Sequence, residues 1–154
     1  MKHSLLMMLA FMSIFMSNAS SCNKEDDKPT TENNISMANE KIKITVGSKT
    51  FTTTLCDNNS AKAFKEMLPL TINMIELNNN EKHYDLQNNL PTDSFNPQTI
   101  KNGDLMLFGS KTLVLFYKTF STPYSYTKLG AVDDVTGLAT ALGSGNVTVT
   151  FEVE

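Results

Sequence analysis

Lys41-Ile42-Lys43-Ile44-Thr45-Val46, then Gly47-Ser48, then Lys49-Thr50-Phe51-Thr52-Thr53-Thr54-Leu55 is the stretch that decides the fold class. Ile42, Ile44 and Val46 alternate with lysine and threonine, the period of a strand with one face buried. Gly47-Ser48 suits a two-residue hairpin turn with glycine at its first central position. Phe51, Thr53 and Leu55 then alternate in the returning strand, which is rich in β-branched threonine.

The same grammar continues downstream. Asp57-Asn58-Asn59-Ser60 is a turn and helix N-cap cluster. Ala61, Phe64, Met67 and Leu68 follow at helical spacing until Pro69 stops the helix. Leu70, Ile72 and Met74 alternate as a third strand. From Asn78 to Asn102 the pattern is lost, and the stretch reads as a long loop with Tyr84, Leu86, Leu90 and Phe95 as isolated anchors. Leu105 to Phe108 and Leu113 to Tyr117 flank Gly109-Ser110, which repeats the hairpin chemistry. Tyr124 to Val132 is read as a further strand and Asp134 to Leu142 as a short helix. Val147, Val149, Phe151 and Val153 alternate in the last strand. About seven strands and one or two short helices in a single unit predict a mainly β fold, a closed or nearly closed β-barrel with helices at its openings.

The N-terminus is organised differently. Lys2 and His3 precede an apolar run, Leu5 to Met16, broken only by Ser13, and Ser17 to Ser21 is small and polar. That is the three-part secretory signal, and its apolar run is too short to span a bilayer. Ala19-Ser20-Ser21-Cys22 resembles a bacterial lipoprotein signal, with Ala19 where leucine is more usual. A plain signal peptidase cutting after Ala19 is the alternative. Lipidation at Cys22 makes the membrane a partner, since each buried methylene contributes about 0.8 kcal/mol. Residues 1–21 are thus assigned as signal peptide, 22–39 as a lipid-anchored tether too polar to fold, and 40–154 as the domain. The acidic run Glu25-Asp26-Asp27 resembles the surface-export signals of Bacteroidetes lipoproteins. The expected location is the outer membrane or periplasm, with display at the cell surface as an extension.

Composition excludes several functions. The formal charge is −3, and losing Lys2 with the leader leaves −4. The two signs are interspersed, without the basic stripe that nucleic acid requires. All thirteen basic residues are lysine, so no bidentate guanidinium clamp exists. With Cys22 acylated, Cys56 has no intramolecular partner and reads as a core thiol. His83 is the lone histidine beyond the leader, so neither a metal site nor a cofactor is expected.

Candidate chemistry is sparse. Gly47-Ser48-Lys49-Thr50 and Gly109-Ser110-Lys111-Thr112 lack the Gly-Lys pair of a phosphate loop and are read as turns. His83-Tyr84-Asp85 places a base, an aromatic and an acid in sequence, although a lone loop histidine is usually solvated. Asp133-Asp134 sits where carboxylates favour a following helix. Tyr117, Phe120, Tyr124 and Tyr126 around Pro123 combine aromatic bodies with polar tips, which suits either a binding cleft or a barrel core. With Lys128 they form the candidate ligand site, for a small molecule or peptide. No catalytic residue is assigned.

Several stretches, in order, resemble the bacterial cyclophilin-like domain family: Lys41 to Gly47, Ala61 to Leu70, Ile100 to Leu105, Leu113 to Tyr117, Tyr126 to Val132 and Leu138 to Glu152. The resemblance implies a small cyclophilin-like β-barrel. Relatives often carry arginine in the stretch corresponding to Lys128 and Ala131, and true cyclophilins isomerise X-Pro bonds with an arginine beside an apolar pocket. Its absence points to a non-catalytic binding domain, with a periplasmic prolyl isomerase-like foldase, or another enzyme activity on this fold, as the alternative. Mass spectrometry of the native N-terminus is expected to find a mature chain that begins at an acylated Cys22. A chain beginning at Ser20 with an unmodified Cys22 would defeat that assignment.

Overall fold

A computed structural model describes residues 39–154, so the leader, Cys22 and nearly all of the tether lie outside the described residues. The strands are β1 (Lys41–Val46), β2 (Lys49–Leu55), β3 (Leu70–Leu77), β4 (Glu81–Asp85), β5 (Thr99–Ile100), β6 (Asp104–Phe108), β7 (Thr112–Phe116), β8 (Phe120–Ser121), β9 (Thr127–Val132) and β10 (Val147–Val153). Helix α1 spans Asn59–Glu66 and α2 spans Leu138–Leu142. Eight strands close into an antiparallel barrel in the order β1-β10-β3-β4-β7-β6-β9-β2, while β5 and β8 form a separate two-stranded ribbon.

The opening hairpin behaves as its residues dictate. Gly47 has φ +58°, and Val46 pairs directly with Lys49 across a two-residue turn. The inner side chains Ile42, Ile44, Phe51, Leu55, Ile72, Met74, Leu105, Leu107, Leu113, Leu115, Val149 and Phe151 fill the barrel as one buried cluster. Each such side chain contributes about 1.5–3 kcal/mol through burial.

Connectivity puts the helices at opposite openings. Helix α1 joins the end of β2 to the start of β3, and α2 joins β9 to the start of β10. Asn58 caps α1 by accepting from the Ala61 N–H at 2.8 Å. Phe64 of α1 meets Phe151 edge-to-face at 5.7 Å, and Leu138 and Leu142 of α2 are buried in the same cluster.

Four expectations need correction. The stretch from Asn78 to Asn102 is not all loop, because Glu81–Asp85 is barrel strand β4, flanked by β3 and β7. The strand expected from Tyr124 begins at Thr127. The helix expected from Asp134 is one short turn from Leu138, because Gly137 at φ +80° occupies its N-cap. Phe108 pairs with Thr112, so three residues rather than two turn the β6–β7 hairpin.

A second buried cluster lies on the outer wall. Met106, Val114 and Phe116 point away from the barrel interior and pack with Ile100, Phe120 and Tyr126. Ile100 and Phe120 pair across the β5–β8 ribbon, and Phe95 bridges to Tyr126. The two long connections thus form a flap over β6 and β7.

Gly130 marks a tight crossing. A Cβ there would stand 2.5 Å from the Thr54 carbonyl oxygen and 3.1 Å from the Leu55 Cα, both backbone atoms of the neighbouring strand. Gly130→Ala is expected to lower stability by about 1–3 kcal/mol in urea unfolding, as overpacking does. Gly145→Ala, where a Cβ meets nothing within 4 Å, should leave the midpoint within experimental error.

Candidate functional site

Strand alternation divides the aromatic residues picked out in the sequence. Tyr117 continues the inward row of Leu113 and Leu115, whereas Phe120 and Tyr126 pack in the outer cluster. Tyr124 stands 60% exposed at the surface. They therefore do not line one cleft. On the outer wall the rings form a connected series: Tyr124 meets Phe108 edge-to-face at 6.2 Å, and Phe108 meets Tyr126 at 5.6 Å. Tyr126 then meets Phe116 at 5.5 Å, and Phe116 meets Phe120 at 5.7 Å. Phe108, 47% exposed, was not among the sequence candidates. Its inclusion needs the β6–β9 pairing, which sets it beside Tyr126.

Lys128 lies on this same wall, paired in register with Met106. Its ammonium is 3.3 Å from the buried Asp104 carboxylate, which also accepts from the Lys101 N–H at 2.9 Å. The cation is already committed to a counter-charge.

A polar cluster that sequence reading missed closes the barrel mouth opposite α1. Lys82 is fully buried and faces inward opposite Glu76. Its ammonium donates to the Glu76 carboxylate and to the carbonyls of Gly143 at 2.8 Å and Gly145 at 2.7 Å. Three protons meet three acceptors, so the group is fully satisfied. Tyr117 donates its hydroxyl to both Glu76 oxygens at 2.8 Å. Partial burial alone would raise the Glu76 carboxyl, but the bonds from Lys82 and Tyr117 outweigh it and hold the group below its ordinary 4.5. Burial first, and then the Glu76 carboxylate, push the Tyr117 phenol up to about 12. The available signal was the symmetric spacing of Glu76 and Lys82 about Asn79, in a three-residue turn where Asn78 and Asn79 take positive φ.

The other sequence candidates disperse. His83 pairs with Ile75 and Val114 on the outer face, Tyr84 faces inward, and Asp85 accepts from the Thr112 hydroxyl at 2.7 Å. Asp133 accepts from Lys41 at 2.6 Å and from Thr54. Asp134 accepts from the Thr136 N–H in a local turn, not at the helix. Among the described residues no three His, Cys, Asp or Glu side chains converge on a metal-sized site. Cys56, expected to be a lone core thiol, is instead disulfide-bonded as well as buried.

The sequence matches the cyclophilin-like family over residues 44–152. The chain belongs to that family. Among curated proteins none matches. A solved structure with a similar fold is the solution structure of a hypothetical protein from Archaeoglobus fulgidus, at a TM-score of 0.57 and 15% identity. The similarity covers 75% of this chain and 95% of that one. At this identity the likeness concerns the fold alone. In this cyclophilin-like barrel the interior is filled by apolar packing and by the Lys82 cluster.

Lys82→Met is expected to cost about 3–5 kcal/mol at neutral pH, because it strands the Glu76 carboxylate. That cost is full above pH 4.5 and shrinks below it as Glu76 takes up a proton, since a depressed carboxyl stabilises only while ionised. Lys82→Met with Glu76→Gln should recover part of the loss, read from unfolding midpoints across pH.

Proposed function

We propose that this cyclophilin-like domain is a non-catalytic binding module of the cell envelope, holding a peptide or small molecule on its outer wall. The observation that carries the reading is the ring series that ends in the exposed Tyr124–Phe108 pair and is backed by buried Tyr126 and Phe116. An edge-to-face pair with a rigid, packed support presents apolar area at little conformational cost, which favours capture of a ring or an apolar side chain.

The chain's cations argue against prolyl isomerisation. Rotation about an X-Pro bond faces a barrier of about 18–20 kcal/mol, and catalysis must stabilise an amide twisted out of conjugation. A planar guanidinium suits that task, and the chain has none. Lys128, the nearest replacement, is held by Asp104. Losing one fixed donor of this kind removes about 2.7–4 kcal/mol of transition-state stabilisation.

The envelope setting rests on the leader and on Cys22. A lipid on Cys22 would leave Cys56 no cysteine partner within its own chain, so the N-terminal mass spectrum bears on the disulfide at Cys56 as well.

The decisive assay follows relaxation of a standard X-Pro peptide at low temperature with micromolar protein. The expected result is a rate indistinguishable from the uncatalysed one, tens to hundreds of seconds. Acceleration that scales with protein and disappears in Tyr124→Ala would replace the binding module with a foldase.

A further inference from the structure

The outer wall carries a second surface, on β3 and β4, that the flap leaves bare. Strand register lays two rows of side chains across this wall. One runs Ile75, His83, Val114, Met106, and the other runs Leu77, Glu81, Phe116. Under the flap, Val114, Met106 and Phe116 are sealed by Ile100 and Phe120. Past the flap's edge the same rows come into the open, with Ile75 45% and Leu77 42% exposed.

Glu81 sits at that edge, between exposed Leu77 and buried Phe116. It is half-buried, and among the described residues its carboxylate has no hydrogen-bond or ion-pair partner. Burial, then the charge of Glu76, push its carboxyl above the ordinary value. The lysines nearby are occupied or turned elsewhere. Lys82 faces inward to Glu76, and Lys118 lies 6.0 Å over the Tyr117 ring. A half-desolvated carboxylate without a counter-charge is therefore flanked by apolar surface.

We propose that the β3–β4 wall docks a basic, partly apolar peptide segment of a partner protein, with an apolar side chain laid on Ile75 and Leu77 and a lysine or arginine paired with Glu81. Two features select this occupant. The flap already shows how apolar side chains settle across these rows, so a partner segment would extend a packing arrangement that the wall supports. The unmatched charge is negative, on a chain whose formal charge is −3, which favours a cation and repels acidic segments.

The test uses the full chain, isotope-labelled for amide NMR. The probes are an N-acetylated hexapeptide amide alternating leucine with lysine, and its counterpart with glutamate in place of lysine. The lysine peptide is expected to shift amides of residues 75–83 and to bind about tenfold more tightly than the glutamate peptide, as a partly desolvated charge-assisted bond would give. Glu81→Gln should bring the two affinities to within about twofold, and it should melt no lower than the parent because it removes an uncompensated charge. Leu77→Ser, at an exposed site, should weaken the lysine peptide without abolishing the preference for lysine. The proposal falls if neither peptide binds, if both bind equally, if the shifts gather at Phe108 and Tyr124 instead, or if Glu81→Gln leaves the preference intact.

Discussion

Burying the Lys82 ammonium inside a barrel is possible only because the acceptors of Glu76, Gly143 and Gly145 converge on its three protons. An ammonium left in that position without partners would cost more than a typical domain's net stability. The consequence reaches beyond one side chain. β4 is the strand that joins β3 to β7, and without it the wall has two free edges and no closure. The same contacts fasten the α2–β10 connection across the mouth, so closing the barrel and covering its end are one event.

Closure then determines which side chains reach the surface. In a barrel of eight strands the inward side chains fill the interior, and here they do so with a single apolar cluster plus the Lys82 group. The long connections between β4 and β6 and between β7 and β9 lie over the outer rows and bury Met106, Val114 and Phe116. Their cover is incomplete at both margins. One margin exposes the Tyr124–Phe108 pair, and the other exposes Ile75 and Leu77 beside Glu81. The two candidate surfaces therefore have one structural cause, a flap narrower than the wall beneath it.

The strands that could be read from sequence are those whose two faces see different solvents. β1, β2, β3 and β10 bury one side and wet the other, so their apolar residues alternate visibly. β6 and β7 are buried on both sides and read as apolar runs. β4 was illegible because it inverts the code, placing lysine inside and histidine outside. The site was legible only in part. Tyr124 and Tyr126 stand in an aromatic-rich segment, but the register that puts Phe108 beside Tyr126 is set by pairing between β6 and β9. Tyr117 was grouped with the others because sequence proximity does not reveal which face of a strand a residue takes.

The absence of arginine and the pairing of Lys128 with Asp104 should be taken together. A lysine at the edge of an apolar wall could in principle offer a proton to a twisted amide, since three donors on a flexible stem can reach several positions. Asp104 removes that freedom: it is itself buried, held by the Lys101 N–H, and placed where desolvation strengthens its attraction for the ammonium. To serve a substrate carbonyl, Lys128 would have to leave a buried carboxylate uncompensated, a cost paid in each turnover and absent from an arginine with donors to spare. On the far side of β7 from Lys128, the Glu81 carboxylate has no counter-charge among the described residues.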